Sequence, residues 1–461
     1  MMDLYNLVDY SLFRKYNSNV QYYFNLFYYV LKAGKKMELF RLIAGVVIFI
    51  ITFYFIITEK YPKSIVSMIG AGLMVITKVL SEHEALSIIG HNLEILFLLM
   101  GMMMIVEIMS ETGIFQWVAI KIAQLVRGNP VKILVFISII TALFSAVLDN
   151  VTTILLVVPV TIFLAKRLEV DPKPFVLLQI FSSNIGGTAT MIGDPPNLII
   201  ASLSGLDFND FIINLGPIIV INMAVLLGSA VWYFKDKLQV SNELKAGIME
   251  LSLERTIKDK KLLIQSLAVF LVVIIGFLTN AVSEFGLAII AILGASLLLF
   301  LSKKKPDEIF SKIEWDTLFF FGGLFILVEG LENLGIIAKL SEFLLVLTNK
   351  NVHIASPLIL IMSTILSPII GSIPHALSFG KILVGIIGEF HGNTQSLWWA
   401  LTLGACLGGN MTIVGAAANI VGAAVAKKGG IEITFMEFFK WGLIVVGEST
   451  ILSLIYLYVR Y

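Results

Sequence analysis

The sequence has few charged residues and a single cysteine. Asp, Glu, Lys and Arg make up 14% of its 461 residues, whereas soluble globular proteins carry about 25%. That is too little charge to cover a protein of this size in water. The one cysteine, Cys406, excludes an internal disulfide and any metal site built from several thiolates. The net charge of +1 gives no bias towards nucleic acid.

Motifs that are typical of enzymes are also missing. The sequence has no Gly-Lys-Ser/Thr phosphate loop, so the chain is not an ATP-driven pump by itself. It has neither a His-Glu-x-x-His nor a Gly-x-Ser-x-Gly motif. An intramembrane protease built on Asp149 and Asp194 is the one enzyme alternative that the sequence leaves. We therefore predict no catalytic residues and no enzyme activity.

Long apolar segments take the place of these features. The runs Leu42 to Thr58, Leu262 to Leu278 and Leu443 to Val459 each approach the roughly 20 residues that a membrane-spanning helix needs. They have almost no polar stripe at the 3.6-residue spacing of a soluble core helix. We therefore predict an all-α polytopic protein, integral to the cell membrane, that has the lipid bilayer as a partner.

The second half of the sequence repeats the first half at a constant offset of 222 residues. The matched pairs include Gly101 and Gly323, Glu107 and Glu329, Gly186 and Gly408, Thr190 and Thr412, and Asn197 and Asn419. Convergent membrane composition would match Leu and Ile, but it would not match Glu with Glu or Asn with Asn. The offset therefore predicts an internal duplication.

Each copy has the same predicted parts. The first repeat (41–234) and the second (263–461) each contain five spanning helices and one broken apolar segment that is typical of a re-entrant hairpin, so about 10–11 spanning helices result. Because five is odd, the second repeat is inverted, as in secondary transporters. The basic linker 235–262 is expected in the cytoplasm. Residues 1–40 form a tail that is an interfacial helix, an extra span or an over-extended start.

Four polar breaks interrupt the apolar segments and provide the candidate binding residues. These are Asp149, Asn150, Thr152 and Thr153 in the first break; Asn184, Gly186, Gly187, Thr188, Thr190, Asp194 and Asn197 in the second; Gly371, Ser372 and His375 in the third; and Asn410, Thr412 and Asn419 in the fourth. Gly and Pro free backbone groups that are tolerated only inside protein or beside water. Half-helix N-termini attract anions, and freed carbonyls bind cations. We therefore predict one central site for a small-molecule or ion substrate.

Asp149 is the main candidate for the coupling ion. An ionisable side chain inside a membrane is costly and is usually functional, so Asp149 is expected to bind Na⁺ or to carry a proton. The predicted Na⁺ ligands are Asp149, Asn150, Asn184 and Asn410. No cofactor other than Na⁺ or H⁺ is expected.

Structural roles are the alternatives at several of these positions. Gly186–Gly187 and Gly408–Gly409 would allow close helix packing, and Asp194 would cap the following half-helix. Asn and Thr side chains would bridge neighbouring helices. Glu107 and Glu329 would pair with basic groups or stabilise the interface between the repeats.

The run from Ser183 to Asn197, SNIGGTATMIGDPPN, resembles the ion transporter superfamily, in the arsenite/sodium–proton antiporter branch that includes the melanosomal P protein. The segment from Asp149 to Thr153 also fits that branch. The resemblance covers about 40–460. It implies two inverted repeats with a scaffold and a mobile transport part that moves like an elevator. It also implies substrate and cation at the hairpin tips and unwound helices.

The function that this resemblance implies is secondary transport of a small anion or oxyanion, arsenite-like or carboxylate-like, coupled to Na⁺ or H⁺. Related divalent-anion symporters have Ser-Asn-Thr at both tips, whereas here one tip has Asp149 and the other, Gly371 to Pro374, lacks Asn. The breaks also contain no Arg to bind a carboxylate in bidentate fashion. Na⁺/H⁺ antiport is therefore an alternative, and an anion channel is the alternative of another class. A homodimer is a family expectation, and the sequence leaves open a cytoplasmic ATPase partner, which some arsenite relatives have.

Overall fold

The computed structural model describes residues 18–254, 256–283 and 285–461, with side chains from residue 37 onward apart from those of residues 255, 281, 283 and 284. Up to the end of the predicted first repeat (41–234), the described chain contains α1 (Ser18–Thr58), α2 (Lys63–Ile76), α3 (Glu82–His91), α4 (Leu93–Ser110), α5 (Ile114–Leu125), α6 (Pro130–Val147), α7 (Asn150–Arg167), α8 (Lys173–Gly187), α9 (Pro195–Ser204) and α10 (Phe208–Phe234). The linker contains α11 (Asn242–Met249). The second repeat contains α12 (Lys260–Leu278), α13 (Asn280–Ser283), α14 (Leu287–Ser302), α15 (Pro306–Phe310), α16 (Trp315–Asn333), α17 (Ile336–Thr348), α18 (Val352–Ile370), α19 (Ser372–Ile386), α20 (Gln395–Gly408), α21 (Ala417–Lys428) and α22 (Phe435–Arg460). The predicted all-α class is confirmed.

Eight of the described helices are long and apolar enough to cross a membrane. They are the part of α1 from Met37 onward, α4, α6, α7, α10, α12, α18 and α22. A ninth span results if α16 and α17, which are bent by 71°, are counted together. The chain is thus a multi-pass integral membrane protein. The predicted spans at α2, α14, α8–α9 and α20–α21 consist of shorter helices, and the inversion of the second repeat stays a prediction.

The predicted interfacial helix or extra span falls partly on residues 1–17, which lie outside the described residues. From Ser18 the chain is helical without interruption into the first span. The nature of the tail therefore stays a prediction.

The repeat is visible in the local geometry. Six pairs of helices begin 222 residues apart: α4 and α16, α5 and α17, α6 and α18, α7 and α19, α8 and α20, and α9 and α21. Gly113 and Gly335, with φ of 83° and 72°, precede α5 and α17. Asn129 and Asn351 each accept a backbone hydrogen bond at the start of α6 and α18. Equal offsets in helix starts and caps agree with the duplication that the sequence predicts.

The hairpin tips have different chemistry in the two repeats. In the first, Leu148 is extended and Asp149 Oδ1 accepts a hydrogen bond from the Thr152 amide at 2.7 Å, which caps α7. In the second, Gly371 has φ of 91° and ψ of 143°, a backbone conformation that side chains rarely tolerate. One turn therefore depends on a carboxylate cap and the other on glycine.

The helices form two packed groups. In the framework, defined as α1, α2, α4, α12, α14 and α16, α4 packs on α14 and α16 packs on α2, so both contacts join the two repeats. A Cβ on Gly101 would lie 2.8 Å from the carbonyl carbon of Ala291, and one on Gly323 would lie 2.6 Å from that of Ser67. The hairpin body, defined as α6–α9 and α18–α21, contains both hairpins and both broken helices. The cavity described below lies where these two groups meet.

A cluster of ion pairs joins the repeats within the framework. Lys312 Nζ lies 2.7 Å from both Glu107 Oε1 and Glu111 Oε1, and Lys304 Nζ lies 2.6 Å from Glu111 Oε2. Hydrogen bonds with Glu107 and Glu111 raise the pKa of Lys312. Burial opposes ionisation of Glu111, but hydrogen bonds from both lysines leave its pKa lowered. Glu107 therefore has the structural role that the sequence suggested as an alternative, at the interface between the repeats.

Candidate functional site

A cavity of about 840 Å³ lies between the hairpin body and the framework. On the side of the hairpin body its wall contains both hairpin tips and the starts of the two half-helices, through Asp149, Val151, Pro195, Gly371, Ser372, Ile373, Ala416 and Ala417. On the side of the framework it contains Glu59, Lys60, Lys63, Glu314 and Asp316. Four helix starts from both repeats thus meet at one cavity, as the broken-helix pattern predicts.

The two tips give this cavity opposite electrostatic ends. Asp149 is half-buried and brings a carboxylate to the wall. At the other tip, Gly371 carries no side chain, and in the described structure no side chain caps α19. The amides of Ser372 and Ile373 therefore present the positive end of a helix dipole. The cavity combines a carboxylate suited to a cation or proton with a helix start suited to an anion.

Asp194 does not cap α9, so that structural alternative is wrong. Asp194 occupies the N-cap position, but Pro195 and Pro196 have no N–H to donate to it. Its carboxylate instead accepts a hydrogen bond from Asn150 Nδ2 at 3.0 Å. Asp194 is only 2% exposed. The two prolines therefore leave this carboxylate available to bind the first hairpin tip.

Four asparagines connect three of the breaks behind the cavity. Asn184 Nδ2 donates to Asn410 Oδ1 at 2.8 Å and to Asn419 Oδ1 at 2.7 Å. Asn150 Nδ2 lies 3.4 Å from Asn184 Oδ1. All four side chains are at most 2% exposed. Of the predicted Na⁺ ligands, Asp149 therefore lines the cavity, whereas the three asparagines form a buried network that ties the repeats together.

Two equivalent residue pairs stabilise the unwound segments. Asn197 Nδ2 donates to Thr190 O at 2.7 Å, and Asn419 Nδ2 donates to Thr412 O at 2.8 Å. The hydroxyls of Thr190 and Thr412 donate to carbonyls near the ends of α6 and α18. These bonds satisfy polar groups that broken helices leave free, and an unsatisfied group in a membrane is costly. These four residues thus hold each unwound segment against the hairpin of the same repeat.

The remaining candidates are spread more widely. Thr188 Oγ1 donates to Asn184 O at 2.7 Å, whereas the buried Thr153 Oγ1 has no partner among the described residues. Thr152 contributes its amide to the Asp149 cap. His375 is 1% exposed, and its ring centroid lies 5.1 Å from that of Phe379. His375 is thus packed in the hairpin, next to a cavity residue, Pro374.

The glycine pairs support the packing alternative. A Cβ on Gly186 would lie 2.2 Å from Ala142 O, and one on Gly408 would lie 2.8 Å from Thr364 Cα. A Cβ on Gly187 would lie 2.5 Å from Gly193 O. Backbone meets backbone at each of these points. These glycines therefore allow the hairpins to approach the broken helices closely.

Sequence reasoning missed the framework side of the cavity. Glu314 precedes α16 and accepts a hydrogen bond from Thr317 Oγ1 at 3.1 Å. Asp316 accepts a hydrogen bond from Ser64, and Lys63 pairs with Glu59 at 2.6 Å. These residues lie at the ends of spans, where charged residues are expected for membrane insertion alone. A charged residue in the cavity wall therefore looks the same in the sequence as a charged residue at any other end of a membrane span.

The two threonines give a test of the bonding described above. Thr190 Oγ1 donates to Ala146 O and accepts from the Gly193 amide at 3.2 Å, whereas Thr412 Oγ1 donates to Pro368 O at 2.7 Å. Thr190→Val leaves a buried amide without its acceptor and should cost about 1–3 kcal/mol, whereas Thr412→Val should cost about 1 kcal/mol. Thermal unfolding of the purified variants in detergent measures both. Equal losses would show that the Gly193 amide finds another acceptor.

Similar proteins include a membrane protein, the P protein and a transporter of known structure. The chain is 38% identical to a 46 kDa membrane protein of Mycobacterium leprae, over 91% of this chain and 99% of the relative. It is 32% identical to the P protein of Mus musculus, over 88% of this chain and 59% of the P protein. The YdaH transporter of Alcanivorax borkumensis has a similar fold, with a TM-score of 0.54 at 13% identity, over 81% of this chain and 87% of that one.

The resemblance found in the second break agrees with the P protein match. A family model described as a citrate transporter matches residues 53–404, which include both hairpins and the first three breaks. Since the match covers well over half of the chain, the chain belongs to the citrate transporter family.

Proposed function

We propose that the chain is a secondary active transporter that moves a small anion or oxyanion-type solute, arsenite-like or carboxylate-like, coupled to Na⁺ or H⁺. The observation that carries the proposal is the cavity between the hairpin body and the framework, with Asp149 at one tip and the uncapped start of α19 at the other. Such broken-helix sites are typical of secondary transporters.

The anion is proposed to bind at the second repeat's helix starts. Both α19, from Ser372, and α21, from Ala417, begin on the cavity wall without a side-chain cap in the described structure. Small residues at both starts let an anion approach the backbone amides. Free amides and the helix dipole together favour negative charge there. In the first repeat, Pro195 and Pro196 remove the equivalent amides of α9.

The coupling cation is proposed to bind at Asp149. Its carboxylate reaches the cavity wall while its hydrogen bond from Thr152 fixes the start of α7. A cation or proton at Asp149 would neutralise this end of the cavity and so reduce repulsion of the anion. Binding of the two partners would then be mutually favourable, which is the requirement for symport.

Alternating access is proposed to follow from movement of the hairpin body against the framework. The cavity wall is divided between these two groups, so displacement of the hairpin body would carry both tips away from Glu314 and Lys60. The bonds of Asn184 to Asn410 and Asn419 connect the two halves of the hairpin body. That network favours movement of both hairpins as one unit.

Na⁺/H⁺ antiport is the second candidate, and the charge of the cavity favours it. Acidic residues outnumber basic ones in the described wall, which contains Glu59, Asp149, Glu314 and Asp316 against Lys60 and Lys63. A net negative wall concentrates cations. Under this alternative Asp149 would bind Na⁺ and H⁺ in turn, with no anion.

Purified protein in liposomes should show solute flux that depends on an imposed gradient. The screen offers arsenite, dicarboxylates, tricarboxylates, and Na⁺ against H⁺, each with Na⁺ and pH gradients in both directions. Anion uptake driven by a cation gradient supports the main proposal, and Na⁺/H⁺ exchange alone supports antiport. No gradient-dependent flux in any arm would contradict both. Single-channel currents in planar bilayers without coupling would instead indicate an anion channel.

A further inference from the structure

Lys381 forms an ion pair across the boundary between the hairpin body and the framework. It lies in α19, the second arm of the second hairpin, and its Nζ is 2.7 Å from Glu332 Oε2 and 3.3 Å from Glu329 Oε2. Both acids belong to α16. The side chains of Lys381 and Glu329 are 22% and 19% exposed, and that of Glu332 is 44% exposed. A mostly buried lysine in the apolar part of a membrane protein is costly unless it is paired, so this contact requires an explanation.

The ion pair lies away from the cavity. The start of α16 contributes Asp316 and Thr317 to the cavity wall, and Glu329 and Glu332 follow more than three turns later. At 1.5 Å per residue they lie about 20 Å further along the helix. Lys381 likewise follows the tip residue Ser372 by nine positions, or about 14 Å. The contact therefore connects hairpin body and framework on the far side of the tips from the cavity.

A second polar contact holds α19 one residue further along, from the helix that follows α16. Ser341 Oγ, in α17, donates to Ile382 O at 3.0 Å. A Cβ on Gly385 would lie 3.2 Å from the same hydroxyl. Because α17 follows α16 directly in the chain, α19 is bound by two successive helices, of which α16 belongs to the framework. Lys381 and Ile382 thus mark a stretch of α19 that is fixed on this side.

Among the residues with described side chains, the first repeat has no equivalent of these contacts. The 222-residue offset places Pro159, Ser110 and Ala119 where the second repeat has Lys381, Glu332 and Ser341. Glu107, which corresponds to Glu329, pairs with Lys312 of the framework. The first hairpin is therefore not joined to α4 by an ion pair, so the contact is one-sided.

We propose that the Lys381 ion pair closes the access path on the face opposite the cavity and must break before the site can open there. The inference rests on the proposed movement of the hairpin body and on the predicted inversion of the second repeat. In inverted-repeat transporters the two states exchange the arrangements of the two repeats. Because the first repeat lacks these charges, the opposite state gains no matching ion pair. The contact therefore biases the resting protein towards the state with the cavity open.

Lys381→Met tests this by a change in side-specific access. The reporter is Ala417→Cys, on the exposed start of α21 in the cavity wall, in a Cys406→Ser background that removes the natural cysteine. A membrane-impermeant maleimide is applied to right-side-out and inside-out vesicles without substrate. We expect Lys381→Met to lower the labelling rate from the side that labels the parent by roughly tenfold, and to raise it from the other side. Unchanged rates on both sides would overturn the proposal.

The matched control is Lys350→Met. Lys350 forms a pair with Glu389 at 2.7 Å, but these side chains are 50% and 57% exposed, so its loss should leave both labelling rates unchanged. An equal shift in the control would show that loss of any lysine has this effect and would contradict the proposal.

A charge-swap experiment distinguishes loss of the Lys381 ion pair from a general loss of stability. Lys381→Glu alone should shift access, and Lys381→Glu combined with Glu332→Lys should restore the parent's labelling. If Lys381→Met fails to fold, the single and double charge-swap variants provide the test instead. Parent-like labelling in the double variant supports the proposal, and a double variant that does not fold or does not label like the parent contradicts it. Labelling needs no substrate, so a shift without transport would retain the contact and reject the proposed function.

Discussion

Replacing Asp149 with asparagine is expected to keep the fold but to abolish normal coupling. Asparagine caps a helix about as well as aspartate, so the bond from the Thr152 amide to position 149 should persist. The variant loses only the charge at the first hairpin tip. Loss of one charged ligand is worth about 2 kcal/mol, which corresponds to a roughly 30-fold rise in the cation concentration needed for half-maximal transport.

The measurement is transport in liposomes as a function of Na⁺ and of pH. If Na⁺ is the coupling ion, the half-saturating Na⁺ concentration should rise; if H⁺ is, the pH dependence of transport should disappear. Asp149→Ala is the matched variant, because it removes both charge and cap and should in addition destabilise α7 by about 1 kcal/mol. Unchanged Na⁺ and pH dependence in Asp149→Asn would remove Asp149 from the mechanism.

Glu314 provides a comparison for this result. It lines the same cavity from the framework, but its carboxylate is bound to Thr317 and it lies outside the hairpin body. Glu314→Gln should therefore change the half-saturating cation concentration less than Asp149→Asn does. A larger effect at Glu314 would place the coupling ion on the framework.

The sequence predicted the breaks well because their causes are local. Gly371 must adopt a positive φ, Asp149 caps the helix that follows it, and Pro195 begins a helix in which its missing N–H is tolerated. The repeat carries the same information twice, since Thr190 and Thr412 make equivalent bonds 222 residues apart. Helix starts in the second half could therefore be predicted from those in the first.

The parts that the sequence did not predict depend on contacts between distant segments. Asn184 and Asn410 are polar residues at membrane depth by sequence, and nothing local indicates that they form a hydrogen bond with each other. Lys381 and Glu332 belong to different helices, and their pairing follows from the way α19 packs against α16. Pattern identifies which residues are unusual, whereas packing decides which of them face the cavity.

The glycine prediction has the largest expected effect on stability. Gly186→Ala would place a Cβ 2.2 Å from Ala142 O, with two further backbone atoms of the same residue within 2.6 Å. Overpacking usually costs about 1–3 kcal/mol, and backbone atoms cannot rotate away as a side chain does. We therefore expect a loss of about 3 kcal/mol or more, seen as little monodisperse protein after purification.

Gly408→Ala is the matched variant in the second repeat, and Gly72→Ala is the control. A Cβ on Gly408 would lie 2.8 Å from Thr364 Cα, which is a similar close approach in the second hairpin. Gly408→Ala should therefore also destabilise the protein, but by less than Gly186→Ala does. Gly72 lies in α2 with nothing within 4 Å of a Cβ, so alanine there should be neutral or stabilise the helix by up to about 1 kcal/mol. If Gly186→Ala instead folds as stably as the parent and loses only transport, the glycine serves the ligand, and close packing is not its main role.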